Sequence, residues 1–161
     1  MPAFMKMDPL KGEATDDGHK EWIIIQSMSA PIFRSIPQGA KDQQRTKGET
    51  VLGDLVVVRE LDKSSTKLQE ACAQGTFFKE AEFHFCTTVK NKQEAYLKYK
   101  LSDAIISSYS FHGTASASPM PTEEFTINFS KAEWTYVTVD SKTGDPKGNV
   151  VGKYEPGAGK S

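Results

Sequence analysis

The chain has 161 residues, which suits one compact domain and is too short for two independent cores. Hydrophobic residues make up 37% of it and charged residues 25%, so it can build a core, and wholesale disorder is excluded. The net charge of -1 gives no overall attraction to nucleic acid or to an anionic membrane, and neither is expected as a partner. No apolar run approaches the roughly 20 residues of a membrane-spanning helix, so no membrane insertion is expected.

Alternating apolar and polar residues dominate the chain and predict a mainly β protein. The turn between the two longest strands is expected at Asn91-Lys92-Gln93. The last predicted strand changes its apolar face near Ser130-Lys131, which requires a bulge or a sharp bend of the kind that closes a small barrel. In chain order, strands are predicted at residues 3–7, 22–28, 55–60, 80–89, 96–111 and 124–139.

One short helix is predicted after the third of these strands. Residues 62–65 supply candidates for its N-terminal cap, and Gly75 is placed to end it. Leu68, Ala71 and Cys72 recur on one face at helical spacing. A helix of this length is unstable alone, so we expect it to lie against the sheet or to plug one end of a barrel.

Two segments are predicted to lack regular structure. Residues 29–53 contain two prolines and many polar residues, and they should form a long loop with at most one short strand. Between Arg34 and Gly48 this loop carries a net charge of +3, and loops of such length are uncommon in compact domains unless they have a function. Residues 140–161 contain five glycines and are expected to form a turn followed by a weakly ordered end.

A search for catalytic and ligand-binding motifs finds none, so we expect no catalytic residues, no cofactor and no metal. Gly159-Lys160-Ser161 resembles the end of a phosphate loop, but Tyr154 stands where its first glycine is required. His84 and Cys86 offer two metal ligands where a site needs three or four, and an ordinary surface pair is favoured. Cys72 and Cys86 are interpreted as buried or semi-buried thiols in a reducing compartment, with a disulfide between them as the less favoured alternative.

Four stretches resemble the haemolysin-coregulated proteins (Hcp), the tube subunits of bacterial type VI secretion systems. They are Leu61 to Gly75, Lys11-Gly12-Glu13, Ser107 to Ser110, and Pro121 to Lys131, in the family's order and spacing. The resemblance runs from about residue 3 to about residue 139. It implies a small antiparallel β-barrel of two sheets with one short α-helix, which assembles into hexameric rings.

The resemblance also implies a function and a set of partners. The chain is expected to be a single domain over residues 1–161 that forms stacked homohexamers and is not an enzyme. A contractile sheath and a spike are its expected machine partners, and small effector proteins are its expected cargo in the lumen. Residues 1–20 lack the apolar stretch of a signal peptide, so we expect synthesis in the cytoplasm and secretion through the type VI apparatus without a cleaved signal. A small β-barrel enzyme or ligand carrier with an unrecognised pocket is the alternative.

Two surfaces are predicted to act in this assembly. Ser27 and Ser29 follow the strand that lines the lumen in the family, and small hydroxyls suit a wall that passes varied proteins. Exposed strand serines without a role are the alternative interpretation. The loop over residues 29–53 is predicted to govern ring stacking by pairing its positive charge with the net charge of -2 of residues 1–21, and a solvated loop without a role is the alternative. Its basic residues are Arg34, Lys41, Arg45 and Lys47.

Overall fold

A computed structural model describes residues 1–36, 38–39, 41, 49–115 and 120–155. These residues form a mainly β protein with one α-helix, α1 (Ser65–Gln74), and a 3-10 helix at Asp17–His19. No helix among them is long and apolar enough to cross a membrane. The strands are β1 (Ala3–Lys6), β2 (Ile23–Ile25), β3 (Ser27–Ser29), β4 (Ile32–Arg34), β5 (Thr50–Leu52), β6 (Leu55–Glu60), β7 (Phe77–Val89), β8 (Lys92–His112), β9 (Thr122–Asn128), β10 (Lys131–Val139) and β11 (Pro146–Tyr154).

The main sheet closes on itself to form a small barrel. Seven of its nine strands follow the order β2-β1-β7-β8-β9-β6-β3. β10 pairs with β8 and with β11, and every pairing is antiparallel. Only Gln26 separates β2 from β3 along the chain, so the two ends of the sheet are consecutive in sequence. The backbone N–H of Gln26 donates to the carbonyl of Val58 on β6 at 2.9 Å. This closure confirms the predicted barrel, and β4 and β5 form a second, two-stranded sheet beside it.

The barrel interior is filled by side chains, as the period-two pattern predicts. The helix adds Leu68 and Ala71 to this core and ends at Gly75, whose φ of 66° is the left-handed conformation that glycine adopts most readily. The predicted helix and its end are therefore confirmed. Core residues that are fully buried include Met5, Met7, Leu55, Val57, Phe83, Leu101, Phe125 and Ile127.

The long β7–β8 hairpin forms one residue earlier than the sequence predicts. Its loop is Lys90-Asn91, and both residues have positive φ, at 49° and 65°. Two consecutive positive φ angles define a type I′ turn, whose twist matches that of the strands it joins. The predicted bend near Ser130 is a break between β9 and β10, both of which pair with β8.

Two segments that were expected to lack regular structure contain strands. β4 and β5 pair within residues 29–53, and β11 pairs with β10 within the tail. Asp140 starts the tail by accepting hydrogen bonds from the backbone N–H groups of Lys142 and Thr143, at 2.7 and 3.1 Å. That turn brings the glycine-rich tail against β10. The hydrogen bonds to β10 make the tail a strand, although its own sequence does not favour one. Residues 156–161 lie outside the described part of the chain.

Candidate functional site

Ser27 and Ser29 lie on the outside of the barrel. Both are exposed on β3, and Met28 between them packs against the core. Ser27 pairs with Val58 and Ser29 with Val56 on the neighbouring strand β6. Because alternate residues of a strand face opposite sides, the two hydroxyls belong to one surface.

That surface continues across four strands in two rows. One row runs from Ser29 through Val56 and Thr126 to Ser108, and each member pairs with the next. The second row runs in the same way through Ser27, Val58, Glu124 and Ser110. We call these eight residues the outer wall. The sequence did not predict the four residues on β8 and β9, because only the strand register places them beside the predicted serines.

Hydroxyl groups at one end of the outer wall hold one another in place. Thr126 Oγ1 lies 2.6 Å from Ser108 Oγ and 2.6 Å from Ser107 Oγ. Asp54 accepts hydrogen bonds from Ser107 Oγ at 2.7 Å and from Asn128 Nδ2 at 2.8 Å. At this end of the outer wall, the hydroxyls of Thr126 and Ser108 therefore already have hydrogen-bond partners.

The β4–β5 hairpin exposes apolar side chains on both of its faces. Ile32, Phe33 and Val51 are 54%, 59% and 53% exposed, so no described part of the chain covers them. Gly53 closes the base of the hairpin with a hydrogen bond from its N–H to the Pro31 carbonyl at 2.9 Å. A side chain there would meet Pro31 at 2.7 Å, so the close approach requires glycine. The hairpin has the character of a contact surface for another molecule.

The predicted basic residues are only partly within the described chain. Arg34 lies on β4 opposite Thr50, and Lys41 is exposed beyond it. Arg45 and Lys47 lie outside the described residues. At the amino-terminal stretch, Lys6 pairs with Asp8 at 3.8 Å and Lys11 with Glu21 at 3.5 Å, so these two carboxylates already have local partners.

A buried ionic network lies beneath the outer wall, and the motif search did not find it. Arg59 and Glu123 are 1% and 0% exposed and form an ion pair, and Arg59 Nη2 lies 2.6 Å from Asp62. Tyr109 donates its hydroxyl to the second oxygen of Glu123. Burial, followed by the Glu123 carboxylate, raises the pKa of Tyr109. Arg59 Nε also donates to the Ile24 carbonyl at 2.9 Å, so the network links β2, β6, β8 and β9.

The expected surface pair of His84 and Cys86 is wrong. Cys86 is fully buried, because it packs with Phe4, Ala14 and Trp22 in a second apolar cluster, and its Sγ lies 3.8 Å from His19 Nε2. Burial raises the pKa of Cys86 to about 11. Both cysteines are free thiols, and within the described ranges no three His, Cys, Asp or Glu side chains are arranged to hold a metal ion.

The fold and its surfaces define a β-barrel with a filled interior, whose exposed serines and exposed apolar groups lie on its outside. A family model described as "Type VI secretion system effector, Hcp" matches residues 4–136. The chain therefore belongs to the Hcp family and is a tube component of a type VI secretion system. No curated protein matches it.

Solved structures share this fold. A structure described as a type six secretion system protein is 28% identical, with a TM-score of 0.88, and the match covers 96% of this chain and 95% of that one. A type VI secretion system effector from Yersinia pestis is 25% identical, with a TM-score of 0.72 over 95% and 98% of the two chains. Hcp1 from Salmonella typhimurium is 24% identical, with a TM-score of 0.72 over 96% and 93%, which shows the shared fold.

Proposed function

We propose that this chain forms homohexameric rings that stack into a tube, and that the outer wall faces the lumen and contacts small effector proteins. It is made in the cytoplasm and leaves through the type VI apparatus, with the sheath and spike as partners. The observation that carries the proposal is the outer wall, which combines Ser27 and Ser29 with hydroxyls of two further strands. A surface with one charged member, Glu124, suits weak contact with varied cargo.

Exposed apolar groups on the β10–β11 hairpin support the proposal that subunits contact one another in a ring. Tyr136, Val150 and Val151 are 53%, 64% and 48% exposed on the β10–β11 hairpin. Among the described strands, β11 pairs only with β10, so its outer edge offers unpaired backbone groups over nine residues. A ring uses one surface against a different surface of the next copy, and an apolar edge supplies one of them.

The β4–β5 hairpin supports the stacking of one ring on the next. Its exposed Phe33 and Val51 need a cover, and a neighbouring ring supplies it. Apolar burial stabilises this contact between rings, and the basic residues of the loop fix which way the rings face each other. These residues are Arg34, Lys41, Arg45 and Lys47.

Replacement of Ser29 by Gln tests the lumen assignment. The larger side chain obstructs the wall, and we expect the effector that is secreted or bound to fall by about tenfold, which corresponds to about 1.4 kcal/mol of lost contact free energy. The same change at Ser141, exposed in the turn before β11, is the matched control. Effector abundance is measured by immunoblot and ring assembly by gel filtration. Unchanged effector abundance with intact rings would remove Ser29 from the cargo surface.

A further inference from the structure

A chain of four hydrogen-bonded side chains connects the loop after β1 with β7. Asp16 Oδ2 lies 2.6 Å from His19 Nδ1, and His19 Nε2 lies 2.8 Å from His84 Nδ1. His84 Nε2 then lies 2.7 Å from Glu82 Oε1. We call these four residues the imidazole chain. The tube function does not account for it.

The geometry fixes how many protons the two rings carry. Both outer partners are carboxylates, which only accept hydrogen bonds, so His19 Nδ1 and His84 Nε2 each hold a proton. A neutral imidazole has one ring proton, and two neutral rings would therefore direct lone pairs at each other across 2.8 Å. The contact is a hydrogen bond only when one more proton lies between the rings. The pair thus holds three ring protons and one positive charge.

A proton fits this gap better than a metal ion. A tetrahedral ion about 2.0–2.1 Å from each nitrogen would hold the two nitrogens roughly 3.3 Å apart, whereas they are 2.8 Å apart. Cys86 Sγ lies 3.8 Å from His19 Nε2, but among the described residues no three His, Cys, Asp or Glu side chains are arranged to hold a metal ion.

Carboxylates and lysines both surround the imidazole chain. The hydrogen bond from His84 holds the pKa of Glu82 below its ordinary value, so this carboxylate stays ionised near neutral pH. Lysines on β1 and β8 are the positive neighbours, and β8 places one of them directly opposite His84. The charged and titratable groups facing the two rings are Asp16 from the loop after β1, Lys6 from β1, Glu82 and Cys86 from β7, and Glu94, Lys98 and Lys100 from β8.

The imidazole chain anchors the segment over residues 12–22. The His19 ring stacks on Phe4 of β1 at a centroid distance of 4.4 Å, and Trp22 lies 4.8 Å from His19 and 4.6 Å from His84. Within the segment, backbone bonds such as that from Gly12 N to Glu21 O at 2.8 Å are local. The hydrogen bond between the two rings joins the side chains of this segment to those of β7.

We propose that the imidazole chain is a pH-sensitive lock, in which one shared proton holds residues 12–22 against β7 and a second proton releases them. Two protonated rings would direct N–H groups at each other, so the contact breaks. Free histidine takes up its proton near pH 6.5. In acid the two released rings each carry a positive charge, whereas the locked pair carries only one between them. Because release takes up one additional proton, the lock weakens as pH falls through this range.

Trp22 reports the state of the lock. The chain has two tryptophans, so Trp134→Phe leaves Trp22 as the only one. In this background we expect the emission maximum of assembled protein to shift to longer wavelength between about pH 7 and pH 5, as Trp22 becomes hydrated. Adding His84→Gln should abolish the transition, whereas His112→Gln, at the exposed end of β8, should leave it unchanged. The same transition in the His84 variant, or none in the parent, would overturn the proposal.

Hydrogen exchange in the unsubstituted protein provides a test that does not depend on the variants. After correction for intrinsic rates, protection of residues 12–22 should fall by about tenfold for each pH unit below about 6, as uptake of one additional proton requires. Peptides from β8 and β9 should keep their protection over this range. Constant protection of residues 12–22 would overturn the proposal, and so would a loss of protection at pH 7 on adding EDTA, which would identify a metal ion in place of the proton.

Discussion

Glu123 lies on the buried face of β9, although it carries a charge. It shares the parity of Phe125 and Ile127, and Arg59 shares that of Leu55 and Val57 on β6. The alternation along the two strands therefore predicts that Arg59 and Glu123 are buried, and a buried charged residue requires a partner. The sequence does not show which charges meet, since the register between β6 and β9 decides that Arg59 stands opposite Glu123.

Replacement of Glu123 by Gln tests the network at the residue scale. The change keeps the shape and removes the charge that faces Arg59, so we expect the free energy of unfolding to fall by about 3 kcal/mol. The adjacent Glu124→Gln, exposed on the outer wall, is the matched control and should change stability by less than about 0.5 kcal/mol. Urea denaturation at fixed protein concentration measures both. Equal effects of the two substitutions would show that the network does not stabilise the barrel.

At the scale of elements, local patterns predicted the helix, the long hairpin and the break near Ser130. Each depends on residues close in sequence, such as Gly75 at the end of α1. β4, β5 and β11 were missed because prolines and glycines indicate loops, and only pairing with a partner strand makes these segments regular. Of the outer wall, only Ser27 and Ser29 were predicted from the sequence, because strand pairing alone places the other residues beside them.

The β4–β5 hairpin is predicted to control stacking without affecting the ring. We expect Phe33→Ser, which removes an exposed phenyl group from β4, to leave hexamers intact and to impair tube formation severely.

Arg45→Glu combined with Lys47→Glu should have the same effect, more weakly at high salt because screening reduces the charge repulsion. Gel filtration scores rings and electron microscopy scores tubes.

Lys142→Glu, in the exposed turn before β11, is the charge control for these variants. Normal tubes in the Phe33 variant would remove the hairpin from the stacking contact. Loss of the hexamer in either variant would instead place this hairpin within the ring interface.

At the scale of the whole molecule, apolar burial rather than ion pairing is expected to hold the ring. The net charge is -1, and the exposed groups on β10 and β11 are aromatic and aliphatic. We therefore expect light scattering coupled to size exclusion to give six times 17.8 kDa at low salt and in about 1 M salt, where the screening length is about 3 Å. A stable monomer at micromolar concentration would contradict the ring and favour the carrier alternative.

The closure of the barrel has a consequence for how a subunit matures. The rows that begin at Ser27 and Ser29 on β3 run through β6 and β9 to β8, so they are complete only when these four strands are paired. A nascent or misfolded chain therefore does not present the complete row of hydroxyls. The proposed cargo surface is therefore complete only in a subunit whose barrel has folded.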